Sequence, residues 1–210
     1  MSIKSLSLLF SIIGVGILFL LSLLIQPIPV SLADIPKYGG RKVVVKGVVT
    51  HYTTLDDFQI IELRDGNATT TVFLQDVVVI HSGDLLEVTG KVQKYRGEWE
   101  IVVEDSRDIN PLSHWENNSV PLWELAEHPE WFKNLNINIS GYIESLHENW
   151  FILSDGNYSI LVTFNYLNPH LSNGDEVVIQ GYFTYDPRYT RYVVEVENSY
   201  HHIIEVEDGI

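Results

Sequence analysis

The chain contains no cysteine. That excludes a disulfide framework, a thiolate metal site and a cysteine nucleophile. Positive charge is also scarce: 13 Lys and Arg stand against 28 Asp and Glu, a formal net charge of −15. The deficit is uneven. Residues 34–112 carry 9 basic and 13 acidic side chains (net −4), while residues 113–210 carry 3 and 15 (net −12). A phosphate backbone is held by Lys and Arg that displace its counterions, so the second half should repel nucleic acid. The first half leaves room for a short strand. A Gly-rich phosphate loop, a Gly-x-Ser-x-Gly elbow and a His-Glu-x-x-His pair are all missing, and the chain is expected not to be an enzyme. Acidic pairs such as Asp56-Asp57 and Glu104-Asp105 fall at turns and strand ends, without an Asp-x-Asp-x-Asp calcium loop. The eight His are scattered. No two have the helical i, i+4 spacing of a zinc pair, and the adjacent His201-His202 point to opposite faces of a strand. The sequence therefore predicts no metal and no cofactor.

What is present begins with a run of 21 residues without charge, 5–25. About 20 apolar residues span the hydrocarbon core of a bilayer as a helix, and a signal peptide has a shorter apolar region. Residues 1–26 are thus expected to be a transmembrane anchor, with a cleaved signal ending at Ser31-Leu32-Ala33 as the alternative. Lys4 on the short N-terminal side favours that end remaining inside. The resulting expectation is a single-pass membrane protein whose C-terminal domains lie outside the cytoplasm. Asn-x-Ser/Thr sequons at Asn67, Asn117, Asn138 and Asn157 agree with glycosylation in that location.

The rest of the chain repeats itself. Asp65-Gly-Asn recurs as Asp155-Gly-Asn, 90 positions on. Gly47-Val-Val matches Gly141-Tyr-Ile, and Gly83-Asp-Leu-Leu-Glu-Val-Thr-Gly90 matches Gly174-Asp-Glu-Val-Val-Ile-Gln-Gly181, 94 and 91 on. Such steady offsets indicate an internal duplication, with domains at 27–112 and 113–210 divided near Asn110-Pro111. Each copy reads as five strands. The first is rich in β-branched residues and interrupted by glycine, Asp-Gly marks a hairpin, and Arg96-Gly97 and Pro187-Arg188-Tyr189 mark another. Short connections, Gln75 to Ser82 and Asn165 to Asn173, are expected to hold a single helical turn. Residues 120–134 read as a short helix entering the second copy.

This order, carried by Gly47, Phe58–Asp65, Val72–Leu74 and Gly83–Val92 and by their counterparts, resembles the OB-fold domains of tRNA-anticodon-binding-like proteins. The fold class expected is all-β: two tandem five-stranded OB-fold barrels after an N-terminal transmembrane helix. The resemblance implies single-strand binding by aromatic platforms and cations on a barrel face. In the first copy Tyr52, Phe58, Phe73, Tyr95 and Trp99 supply rings, and Arg64, Lys91, Lys94 and Arg96 supply cations. Trp115, Trp123, Trp131 and Trp150 crowd the linker and the start of the second copy, as an interface between barrels or an aromatic patch for a ligand. Weighing charge, the main expectation is a membrane-anchored binding or assembly module with a protein or glycan partner. Nucleic-acid binding through the first copy is the alternative. A looser similarity of 161–181 to haem chaperones of cytochrome c maturation is a third reading. Those proteins place Tyr four residues after the haem ligand, whereas His201 and His202 are followed four on by Glu205 and Val206.

Overall fold

The structure, a computed structural model, describes residue 7 and residues 10–18, 26–165 and 170–206. It is built mainly of strands. The first seven are β1 (Ile28–Pro29), β2 (Lys42–Thr54), β3 (Gln59–Asp65), β4 (Ala68–Leu74), β5 (Leu85–Tyr95), β6 (Glu98–Val103) and β7 (Ile109–Ser113). After two short helices, α1 (Leu122–Glu127) and α2 (Pro129–Phe132), come β8 (Leu135–Leu146), β9 (Trp150–Ser154), β10 (Ser159–Phe164), β11 (Glu176–Asp186), β12 (Arg191–Val196) and β13 (His202–Glu205).

Each half closes on itself. In the first, β2, β3 and β4 pair antiparallel in turn, β4 runs parallel to β6, and β6 and β5 lead back to β2. The second repeats this circuit as β8, β9, β10, β12, β11 and back to β8. This is the strand order of an OB-fold barrel. The repetition reaches fine detail. A register shift lies two residues past the first-strand glycine in both copies, between Val49 and His51 and between Ile143 and Ser145. In both, the Gly-Asp turn grips that bulge: Gly83 N and Gly174 N donate to Val49 O and Ile143 O at 2.8 and 2.7 Å.

The interiors follow from period-two patterning. Along β2 the buried residues are Val43, Val45, Gly47 and Val49, and β3 adds Ile61 and Leu63. The second interior is larger in side chain, with Phe151 and Phe183 among its fully buried residues. Gly90 and Gly181 occupy inward positions where the fourth and fifth barrel strands cross. A Cβ on Gly90 would stand 2.4 Å from Ile101 Cγ2, and one on Gly181 2.6 Å from Val194 Cγ1.

Several expectations change. Among the described residues no helix is long and apolar enough to cross a membrane. The described helical stretch in the apolar run, 10–18, has nine residues, where about 20 are required; the remainder of 5–25 beyond residue 7 lies outside the described residues. The single-pass anchor and the extracytoplasmic placement that rested on it are corrected accordingly. Between Gln75 and Ser82 no helical turn forms. The buried Gln59 side chain bonds there in place of one, donating to Val78 O at 3.2 Å and accepting from Val78 N at 3.4 Å. Residues 166–169 of the other connection lie outside the described residues. Asn110 and Pro111 sit inside a seventh strand, β7, which pairs with β5 at the edge of the first sheet, where a missing N–H is tolerated. The repeated Asp-Gly-Asn also makes two different turns. Gly66 and Asn67 form a two-residue link, whereas Asp155 closes a four-residue loop by accepting from Asn157 N and Tyr158 N at 2.9 and 2.8 Å.

Gly90→Ala and Gly181→Ala should each cost about 1–3 kcal/mol, the usual range for overpacking a core. The midpoint of urea unfolding reads this directly, and unchanged midpoints would refute the crossing argument.

Candidate functional site

The β5–β6 hairpin turns on Arg96 and Gly97, with φ of 51° and 100°. Positive φ at both central residues is the type I′ pattern, whose twist matches that of the flanking strands. It carries alternating rings and cations. Tyr95 is 54% exposed beneath the Arg96 guanidinium, 5.2 Å from its ring centroid. Lys94 lies directly across from Trp99, its ammonium 5.6 Å from that ring. Trp99 is half-buried against the core and rests on Gly39, where a Cβ would come within 2.8 Å of the ring.

A row of register partners runs from this side of the barrel toward β3. Lys42 faces Lys91, Lys91 faces Val102, Val102 faces Phe73 and Phe73 faces Ile60. Register partners share a face, and none of these five side chains is buried. Phe73 also packs on Phe58, with centroids 5.2 Å apart. At a strand spacing of about 4.8 Å, the aromatic pair stands roughly 10 Å from Lys91. At the cationic end lies a cleft of about 840 Å³ lined by Arg41, Lys42, Lys91, Gln93, Glu104 and Asp108, among others. Asp108 takes Lys42 at 3.0 Å. Arg41 and Lys91 have no carboxylate partner among the described residues. The neighbouring row is acidic, but its carboxylates are engaged: Glu62 accepts from Thr50 Oγ1 at 2.8 Å, and Glu100 from Gln93 Nε2 at 2.6 Å.

The second barrel uses its equivalent row differently. There Trp150, Thr163, Glu195, Tyr182 and Asn136 are register partners in sequence. Asn136 is the counterpart of Lys42, and it is buried under the first barrel. Its N–H donates to Ser82 O at 3.3 Å. Its Oδ1 accepts from His201 Nε2 at 3.0 Å. Burial raises the pKa of Glu195, helped by the negative charges of Glu197 and Asp186. The β11–β12 hairpin is neutralised too, because Asp186 binds Arg188 through both Nε and Nη2, at 2.9 and 2.7 Å.

Around this junction, Trp115 is 2% exposed, with its ring 6.0 Å from His201 and 6.5 Å from Tyr200. Its Nε1 is buried without a hydrogen-bond partner among the described residues. His201 Nδ1 accepts from two backbone N–H groups, those of Glu197 and Asn198, so the ring proton sits on Nε2. Desolvation, with His202 and His81 adding to it, lowers the His201 pKa to about 4.

Of the nine ligand-face residues expected from sequence, Lys91, Lys94, Tyr95, Arg96 and Trp99 all lie on β5–β6, Lys94 and Trp99 on its core-facing side, and Phe58 and Phe73 join Lys91 through the row. Two do not. Arg64 donates to Trp131 O at 2.5 Å, across the junction. Tyr52 is half-buried, and burial, together with Tyr200 and Asp84, raises its pKa. The tryptophans separate as well. Trp115 enters the junction, Trp131 stacks on His128 and Trp150 on His147, and Trp123 is exposed on α1. Asn67, Asn117 and Asn157 are exposed, whereas Asn138 lies in β8 with its Nδ2 donating to Glu116 O. Arg41 and Lys42 were not among the residues expected on the face: Arg41 precedes β2 and Lys42 opens it, and only the register with β5 brings Lys42 opposite Lys91. Metal-ligating side chains, expected nowhere from spacing, converge at Asp84, His114 and Glu116.

No family model matches the chain, and neither does any curated protein. Among solved structures it is similar to an aspartyl-tRNA synthetase from Leishmania major Friedlin at 13% identity, covering 42% of this chain and 21% of that one (TM-score 0.37). It is also similar to the telomere capping protein Ten1 from Saccharomyces pombe, at 20% identity over 41% and 81% of the two chains (TM-score 0.33). An asparaginyl-tRNA synthetase from Pyrococcus horikoshii matches at 19% identity over 51% and 26% (TM-score 0.35). The chain thus spans about a fifth of the Leishmania synthetase.

The neutral His201 makes the junction sensitive to acid. A histidine whose folded pKa is depressed stabilises the fold above its unfolded pKa and loses that contribution as pH falls. The window here runs from about 6.5 down to about 4. The chain should lose on the order of 2 kcal/mol across it, read as urea midpoints at successive pH values. His201→Asn should flatten the difference while leaving carboxylate titrations common to both proteins. An identical pH profile in the variant would remove His201 from the account.

Proposed function

We propose that the chain is a non-enzymatic binding module whose first barrel takes a short single-stranded nucleic acid. The observation that carries this is the row from Phe73 through Val102 to Lys91 and Lys42. It joins the Phe58–Phe73 ring pair to a cationic cleft on one continuous face. A base stacked on an aromatic ring contributes about 1–3 kcal/mol and a phosphate needs an unpaired cation within reach, so the row supports both halves of a nucleotide. Tyr95 under Arg96 extends the same chemistry to the hairpin tip, whereas Lys94 and Trp99 pair on the core-facing side of the hairpin. Lys42 and Lys91 stand directly opposite; Asp108 pairs with Lys42, which leaves Lys91 as the cation of the row open to a phosphate. The second barrel contributes packing rather than a second strand site, because its matching row carries Glu195 and ends in the junction.

Binding of labelled oligo(dT) to the full chain tests this by fluorescence anisotropy. If Arg41, Lys91 and Arg96 each displace one counterion, log K should fall with log salt at a slope of about −2. Lys91→Ala with Arg41→Ala should flatten that slope by about 1.4. Phe58→Ala should weaken binding about tenfold at every salt concentration. Absence of binding at about 50 mM salt, or binding indifferent to these variants, refutes the proposal.

A further inference from the structure

The linker folds back over the turn that precedes β5 and places two metal-ligating side chains on a third. Asp84 is fully buried, His114 exposed and Glu116 half-buried, and their ligand atoms all lie within 4.8 Å of one another. We propose that Asp84, His114 and Glu116 form a site for a divalent transition-metal cation of the zinc class, with water completing its shell.

Geometry is the first argument. Asp84 Oδ1 and His114 Nδ1 are 3.5 Å apart, beyond the usual N–H···O range of about 2.7–3.2 Å. Two ligands at about 2.1 Å from a tetrahedral zinc stand roughly 3.4 Å from each other. The pair is thus spaced for a shared ion rather than for a direct hydrogen bond. Charge is the second. Two carboxylates approach each other here, one of them wholly buried, and among the described residues no Lys or Arg pairs with either. Backbone N–H groups hold the buried carboxylate, and a cation would offset the repulsion from the second carboxylate beside it.

The support around the ligands is the third argument. Trp115 N donates to Asp84 Oδ1 at 3.1 Å and His81 N to Oδ2 at 2.8 Å, which fixes the carboxylate in orientation as the outer shell of a metal site does. Donor chemistry sets the ion class: an imidazole with two carboxylates suits zinc, whereas magnesium and calcium select oxygen donors. The duplication separates this from the ordinary duty of the turn. Asp175, the counterpart of Asp84, accepts from Ser172 N at 2.7 Å in the same way but stays partly exposed. The ion would tie the linker to the turn on which the second barrel docks, and it is independent of the oligonucleotide row.

Titration of the full chain, stripped with EDTA, with ZnCl2 by isothermal calorimetry tests this. One saturable site per chain is expected, with a higher melting temperature in zinc. His114→Ala and Glu116→Gln, both at accessible positions, should weaken zinc binding at least about tenfold and abolish the melting shift. Their circular dichroism should match the parent chain. Cobalt should give a visible absorption band that both variants lack. No saturable uptake, uptake unchanged in both variants, or an equal response to MgCl2 would overturn the assignment.

Discussion

The Asn136 carbonyl oxygen lies 2.5 Å from where a Cβ on Gly83 would be, and the Trp115 Cβ lies 2.9 Å from the same point. Any side chain at Gly83 would push the second barrel and the linker off the first. Its φ of +98° adds a backbone reason for glycine. From this contact the rest of the junction follows. Asn136 N reaches Ser82 O, Trp115 packs beneath Tyr200 and His201, and the Asp84 carboxylate is enclosed at 0% exposure. Among the described residues nothing lies within 4 Å of a would-be Cβ on the corresponding Gly174. The same turn thus has one duty in the second barrel and two in the first.

Duplication explains why the two barrels do not do the same thing. Lys42 and Asn136 occupy equivalent places in equivalent rows. In one copy that place opens into a cleft. In the other it is where the first barrel docks, so the second row is consumed by the contact that joins the pair. Once the position was buried, a cation became costly there, and an amide bonded to a neutral imidazole satisfies the same space. Glu195 facing Tyr182, where Val102 faces Lys91, continues that divergence along the row.

The barrel was legible because its determinants are local. Alternating β-branched runs, a glycine at each crossing and a Gly-Asp turn all lie within a few residues of the elements that they shape. What was not legible depends on partners distant in sequence. The connection after β4 was expected to hold a single helical turn, and the reason it does not is Gln59, 19 positions before Val78, which is 1% exposed and bonds to Val78. Asp84 and His114 are brought together by a linker that folds back, which spacing rules for helical ligand pairs do not address. Arg64 and Tyr52 read as face residues because their strands border the ligand face, yet the second barrel covers that end. The apolar run at 5–25 had the length of a span in sequence, but its described helix does not.

Counting charge by halves does not say which cations of the first barrel are left unpaired, because charge acts over a limited distance. The Debye length at physiological ionic strength is about 8 Å, so the net −12 of the second half is largely screened at the β5–β6 face. What matters there is which cations remain after local pairing. In the first half Lys37, Lys42, Lys46 and Arg107 are held by carboxylates, and Arg64 by a carbonyl oxygen. Arg41, Lys91, Lys94 and Arg96 are left, two lining the cleft and two at the hairpin tip. In the second half the carboxylates of Asp186 and Glu130 take Arg188 and Lys133. A chain of strongly negative net charge therefore keeps unpaired cations beside exposed rings on the barrel whose row the junction leaves open, with Glu104 and Asp108 sharing the cleft.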